Sequence, residues 1–229
     1  MNIAILGTGI VGRSHAAKLA ERGHTVSLGT QNVEKTLAET QTDSMGNEPI
    51  SNWLKEHKHT SLKTFVDAAE SGELVINALR GDIAVDILIS AKAHLNNKIL
   101  IDIANPLDFS KGFPPSLSIC NTSSLGEEIQ QVLTETHVVK AFNTVNASLQ
   151  TNPSLLADAD HTLFLAGNDA SAKQTVLQLA QKEYGWKQVI DLGDISNARG
   201  MEMSLPFWLR IFGALGTAMF NYKIVVDKK

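Results

Sequence analysis

The chain has 229 residues, 43% hydrophobic and 19% charged, with 20 Lys and Arg against 24 Asp and Glu. That is a globular balance, and a formal charge of −4 with no Lys/Arg cluster argues against a nucleic-acid-binding surface. The lone Cys120 excludes an intrachain disulfide and a multi-thiolate metal site.

Asn2 to Leu6 is an apolar run that reaches glycine at position 7. It is too short for an export signal and suits a buried parallel strand. An amphipathic stretch at about 10–22, a strand at 24–29 and a second helix at 32–40 follow. Residues 41–57 are polar and read as loops or short helices. The alternation then resumes: strand 60–64, helix 65–71, strand 73–79, helix 83–95, strand 98–103. In 105–124, Pro106, Pro114 and Pro115 argue against regular structure. Helix 125–134 and strand 137–142 complete the first part.

Beyond residue 146 the pattern continues in reduced form, with strand 161–166, helix 170–182, strand 186–191 and a helical tail from about 204. Strands separated by helices imply parallel pairing and helices on both faces. The expected fold is therefore α/β, a Rossmann-type doubly wound, mostly parallel sheet with a small C-terminal α/β extension. Residues 1–146 form the dinucleotide-binding domain, and 147–229 the extension packed on it. The apolar stretch 211–220, even extended back to Leu205, is broken by Arg210 and falls short of the roughly 20 residues a membrane span needs. A core or subunit-interface helix is the expectation, with a membrane-surface stripe of Phe207, Trp208, Phe212 and Phe220 as the minor alternative. A soluble, cytoplasmic protein follows.

Gly7-Thr8-Gly9-Ile10-Val11-Gly12 has the GxGxxG spacing, directly after a strand and before a helix. Gly7 permits the tight turn, Gly9 lets backbone approach a pyrophosphate, and Gly12 lets helix and strand pack closely. Phosphates would meet the free N–H groups at the helix N-terminus. An NAD site would place a carboxylate at the end of the second strand. Here that strand runs into Thr30-Gln31-Asn32, without one. The three side chains can donate hydrogen bonds and Lys35 can add positive charge, so NADP(H) is favoured. Thr30 and Asn32 also suit a helix cap, and both roles can hold together.

The opening motif, the Gly29-Thr30 junction and Asp102-Ile103-Ala104-Asn105-Pro106-Leu107 resemble the deazaflavin-dependent NADP oxidoreductase family. So do Val138-Val139-Lys140-Ala141-Phe142-Asn143-Thr144, Ala166-Gly167-Asn168-Asp169, Asp191-Leu192-Gly193 and Ala198-Arg199. The same domain is similar to the reductase part of six-transmembrane metalloreductases. The resemblance implies a dinucleotide-binding domain with a small extension, assembled as a homodimer. It places the pyrophosphate on Thr8 to Gly12, the 2′-phosphate near Thr30, Gln31 and Lys35, and the nicotinamide by Leu79, Ala104 and Ala147. Two positions differ from the family's usual residues: Gln31 stands where Arg is common, and Asn143 where the archetypal deazaflavin reductases have His.

Residue by residue, Arg80 follows the fourth strand and either meets an anionic substrate or is solvated. Asn105-Pro106 either shapes the nicotinamide pocket through a strained turn or is a structural bend. Asn143 either orients a carboxamide or acceptor ring or caps a helix. His57 and His59 read as a solvated loop rather than a metal site, no Gly-x-Ser-x-Gly elbow occurs, and Cys120 reads as inert. No acid–base dyad is visible, which suits hydride transfer between two bound rings. The expected function is an NADPH-dependent oxidoreductase that passes hydride between NADP(H) and a small-molecule acceptor, a deazaflavin, a flavin or a quinone-like compound. The alternative is a non-catalytic NADP(H)-binding redox-sensing module. Reduction of a small imine or keto acid is disfavoured by the short tail.

Overall fold

In the computed structural model, residues 1–43 and 46–227 are described; positions 44 and 45, inside the polar stretch 41–57, and 228 and 229 lie outside the described residues. Among the described residues, eight of the ten strands build one sheet. They are β1 (Asn2–Leu6), β2 (Thr25–Thr30), β3 (Thr60–Thr64), β4 (Leu74–Asn77), β5 (Ile99–Asp102), β8 (His137–Ala141), β9 (Thr162–Gly167) and β10 (Gln188–Asp191). Their spatial order is β10-β9-β8-β5-β4-β1-β2-β3. Every neighbouring pair is parallel except β8 and β9, which run antiparallel with Lys140 opposite Ala166. The sheet is thus mostly parallel and doubly wound, as expected.

Strand alternation explains the two layers. In β1, Ile3 and Ile5 point to one face while Ala4 and Leu6 point to the other, and all four are buried. The first face is covered by α1 (Ile10–Glu21), α8 (Ala147–Thr151) and α9 (Ala170–Leu179), through Ala16, Leu19, Leu149 and Val176. The second is covered by α4 (Phe65–Ser71), α5 (Gly81–Ser90) and α7 (Leu125–Val132), through Ala68, Leu88, Leu125 and Ile129. Strand order reverses between β1 and β4, so their C-terminal ends open a crevice.

Several boundaries differ from the sequence reading. The helix expected at 83–95 starts at Gly81 and breaks at Ala91 into α5 and α6 (Lys92–Leu95). The helix expected at 32–40 is the shorter α2 (Val33–Ala38), and the polar stretch 41–57 holds a short helix, α3 (Ile50–Glu56). The proline-rich segment is not wholly irregular: β6 (Leu107–Asp108) and β7 (Ser116–Leu117) form a small antiparallel ladder. The three prolines lie just outside its paired positions and so remove none of its donors. The final helix, α10 (Ala198–Leu215), begins six residues before the expected start at 204 and runs through Pro206. Gly200 and Pro206 hide its first half by propensity, but burial of Ala198, Met201 and Glu202 outweighs that. It ends at Gly216, in the left-handed region at φ 67°. Among the described residues no helix is long and apolar enough to cross a membrane.

Candidate functional site

The glycine loop lies where β1 meets α1. Gly7 has φ 122°, and a Cβ there would sit 2.5 Å from the Ala78 carbonyl oxygen. A Cβ on Gly12 would sit 2.3 Å from the Gly7 carbonyl oxygen. Both positions therefore require glycine for the fold itself. Gly9 differs: its φ is −73°, and a Cβ there would meet no atom of the described residues within 4 Å. The space beside it is open, and α1 starts without a side-chain cap or an acidic residue in its first turn. Its leading N–H groups are left for an anion. The loop is pinned from behind by Arg13, whose Nε donates to the Thr8 carbonyl at 2.7 Å and whose Nη1 donates to the Glu48 carbonyl at 2.6 Å. Burial draws the Arg13 pKa down, with Asp43 and Glu48 opposing it.

At the end of β2, the Thr30 hydroxyl is buried against the Thr36 hydroxyl at 2.8 Å. Asn32 caps α2 by accepting the Lys35 N–H at 2.8 Å. Gln31 and Lys35 are exposed, so their side chains are free to turn toward a ligand.

The crevice holds a cavity of about 430 Å³. It collects Ile10, Val11, Leu79, Arg80, Ala104, Asn105, Asn143 and Ala147, eight positions the sequence singled out. Pro106 is buried but does not line it. The Arg80 side chain is 78% exposed and folds onto Asp82 through two hydrogen bonds of 3.1 and 2.5 Å. Asn105 and Asn143 clasp each other: Asn105 Nδ2 donates to the Asn143 carbonyl, and Asn143 Nδ2 to Asn105 Oδ1, both at 2.9 Å. Asn143 is therefore no helix cap; Asn146 caps α8 instead. The strained backbone here is Phe142, at φ 64°, rather than Asn105.

Gln150 holds that strained turn. Its Nε2 donates to the carbonyls of Phe142 at 3.1 Å and Val145 at 2.8 Å. Its Oε1 is then an acceptor, so the His15 Nε2, 3.0 Å away, carries the proton. His15 Nδ1 in turn accepts from the Tyr184 hydroxyl at 2.6 Å. Burial pushes the His15 pKa down to about 4 and the Tyr184 pKa well above its usual value, so both groups stay neutral in this chain.

Three buried polar atoms on the cavity wall have no hydrogen-bond partner among the described residues: Asn143 Oδ1, Thr144 Oγ1 and Trp208 Nε1. An orphaned buried polar group costs roughly 1–3 kcal/mol, so such a cluster marks a place prepared for a ligand.

An F420-dependent NADP reductase of Methanocaldococcus jannaschii is 30% identical over 208 residues, covering 90% of each chain. The chain belongs to the family of coenzyme F420-dependent NADP oxidoreductases. Residues 2–106 match that family's model, described as NADP oxidoreductase, coenzyme F420-dependent. A crystal structure from Arthrobacter sp. fb24, of a protein named as a candidate F420-dependent NADP reductase, superposes with a TM-score of 0.93 at 50% identity, covering 99% of this chain and all of that one. The rat metalloreductase STEAP3 is 26% identical over 90% of this chain, which spans 37% of its length. The protein is thus an NADP-dependent oxidoreductase with the expected α/β fold.

Within this F420-dependent oxidoreductase scaffold, other cavity residues lie outside the site positions expected from the sequence, among them Thr144, Gln150, Leu205, Trp208 and Leu209. Leu205, Trp208 and Leu209 share one face of α10 by their spacing, a signal that shows an apolar face but not what it covers. Thr144 stands in the Val138 to Thr144 segment that carries the family resemblance but had no site role there, and Gln150 carried no sequence signal. His57 stacks on Trp53 at 3.9 Å, and no group of three metal-ligating side chains occurs among the described residues.

Proposed function

We propose that the protein transfers a hydride between NADP(H), held by Gly7 to Gly12 with Thr30, Gln31, Asn32 and Lys35, and the deazaflavin coenzyme F420, held in the crevice cavity. The observation that carries this is the set of three unpartnered polar atoms, Asn143 Oδ1, Thr144 Oγ1 and Trp208 Nε1, on a wall otherwise rich in apolar groups. An acceptor oxygen, an indole donor and a hydroxyl suit the amide and carbonyl edges of a carboxamide or a flat heterocycle. When bound, the nicotinamide supplies or receives the hydride.

The residues then have separable tasks. Gly9 leaves room for the pyrophosphate, and Lys35 supplies charge for a 2′-phosphate. Leu79, Ala104, Asn105, Pro106 and Ala147 shape the nicotinamide pocket, Arg80 stands at its mouth, and the Asn105–Asn143 clasp fixes its edge. Leu205 and Leu209 keep water from the reacting atoms. No side chain need move a proton, because alignment of two rings is the main requirement. In this reading residues 1–146 hold the dinucleotide and 147–229 add the acceptor-side wall. The chain acts as a cytoplasmic homodimer, joined through the exposed apolar residues Phe207, Leu215, Val225 and Val226.

The test is a titration with NADPH and NADH, followed by turnover with a deazaflavin, flavins and quinones. Tight NADPH binding with turnover on the deazaflavin is expected. Tight binding without turnover on any acceptor would return the protein to a sensing module. Sedimentation, with and without Leu215→Glu, tests the dimer.

A further inference from the structure

Beneath the crevice lies a cluster of ionic side chains that none of these tasks uses. Lys140, near the end of β8, is wholly buried. Its ammonium donates three hydrogen bonds: to Asp102 Oδ2 at 2.8 Å, to Glu202 at 2.7 Å and to the Ala104 carbonyl at 2.5 Å. All three of its donors are satisfied. Burial alone would lower its pKa, but Asp102 and Glu202 outweigh that and hold it above the ordinary value. Burying a lysine between two carboxylates is a poor way to gain stability, since desolvation offsets much of the attraction. What the cluster touches suggests another role.

On one side it reaches the nicotinamide floor. Asp102 Oδ1 accepts the Ala104 N–H at 3.1 Å and the Asn77 side-chain amide at 2.8 Å, and Asn77 Oδ1 accepts the Leu79 N–H at 3.2 Å. Both N–H groups of the floor residues Leu79 and Ala104 thus end in this network. On the other side it reaches the opposite wall. Glu202 sits on α10, three, six and seven residues before Leu205, Trp208 and Leu209. Its second anchor is the N-terminus of α7, where the Leu125 and Gly126 N–H groups donate to it at 2.8 and 3.0 Å. Those two donors, with the helix dipole behind them, stabilise the second carboxylate.

We infer that Lys140, Asp102 and Glu202 form a positioning unit that fixes the separation between the nicotinamide floor and the α10 wall. The inference rests on the function proposed above. Hydride transfer is steep in donor–acceptor distance, so a small slackening of one wall slows the reaction without loosening the dinucleotide, whose phosphates bind elsewhere. Glu202, Lys140 and Asp102 act through Ala104, Leu79 and α10, and none of the three lines the cavity.

The variant of choice is Glu202→Gln. It keeps one oxygen for the Gly126 N–H and Lys140, replaces the oxygen that accepts the Leu125 N–H by an NH2 group, and leaves Lys140 with one carboxylate; a urea midpoint checks that the fold survives. Lys140→Met, which strands two buried carboxylates, serves as the disruptive control. Hydrogen exchange of the free protein is the first readout. Glu202→Gln is expected to raise exchange at least several-fold in both 103–107 and 203–210, while β1 to β3 stay unchanged. In turnover it is expected to lower kcat about tenfold or more, with the NADPH Kd within about twofold of the unmodified protein. Exchange confined to α10, or raised throughout the chain, would overturn the inference, as would an unchanged kcat. Failure of the unmodified protein to bind NADPH would instead count against the proposed function, and the exchange pattern would still decide the coupling of the two walls.

Discussion

Gly9→Val separates binding from folding more cleanly than any other change in the glycine loop. Gly9 has extended backbone angles, φ −73° and ψ −179°, open to any residue, and a Cβ there meets no described atom within 4 Å. The folding cost is then that of a poorer N-cap, up to about 1 kcal/mol. The binding cost is larger, because the new isopropyl group occupies the space through which a pyrophosphate reaches the N–H groups of α1. Loss of two charge-assisted hydrogen bonds at roughly 1.5–3 kcal/mol each amounts to about 3–6 kcal/mol, or 10²–10⁴-fold in Kd. Gly12→Ala provides the contrast: its Cβ would lie 2.3 Å from the Gly7 carbonyl, so backbone must shift at a folding cost of about 1–3 kcal/mol. Urea midpoints and NADPH titrations on both variants give the comparison. An NADPH Kd for Gly9→Val within about threefold of the unmodified protein would refute the phosphate placement. Unfolding comparable to Gly12→Ala would refute the reading of an open Gly9.

Gln31→Arg places a second cation beside Lys35 on an exposed turn and should raise the preference for NADPH over NADH about five- to tenfold, an advantage that shrinks at high salt; equal gains for both dinucleotides would show that no 2′-phosphate lies there. Thr144→Val removes an unpartnered buried hydroxyl, so it should leave the urea midpoint equal or higher while weakening the acceptor KM about fivefold or more; a loss of stability with unchanged KM would mean the hydroxyl serves the fold. His15 has its pKa lowered from 6.5 to about 4, so the unfolded chain binds its proton first. Its contribution is complete above about pH 6.5 and drains as pH falls toward 4, by roughly 3 kcal/mol in all. The difference in urea midpoint between the unmodified protein and His15→Gln should narrow over that window, and a pH-independent difference would contradict the neutral, buried His15.

Much of the sheet was legible because its strands are buried on both faces and read as apolar runs between glycines. Ile3-Ala4-Ile5-Leu6 and Leu74-Val75-Ile76 mark their elements without help from tertiary context. The glycine loop was legible by its spacing: the fold itself demands Gly7 and Gly12, and Gly9 leaves open space between them. The far wall of the cavity was not legible. Trp208 sits on a helix whose first half contains Gly200 and precedes Pro206, so local preference argued against its start. Glu202 carries no mark in the sequence, because its partners, Lys140 and the α7 N-terminus, come from 62 and 76 to 77 residues away. The loop 142–146 showed Asn143 but not its orientation, because the turn depends on Gln150 and, behind it, on His15 and Tyr184.

The antiparallel strand explains how the residues after β10 come to line the cavity. β9 enters the sheet beyond the crevice end of β8 and runs back along it, with Leu165 opposite Ala141 and Gly167 opposite Val139. β10 follows β9 in parallel, so the chain leaves the sheet travelling away from the crevice. α10 must therefore carry it back, and its 18 residues span about 27 Å, ample for the return. Glu202 meets Lys140 in the second turn of that climb, and Leu205, Trp208 and Leu209 reach the cavity in the turns above. One reversal of strand direction lets the chain's last helix act as both anchor and wall, with the ionic contact placed where it sets the height of the apolar residues above it.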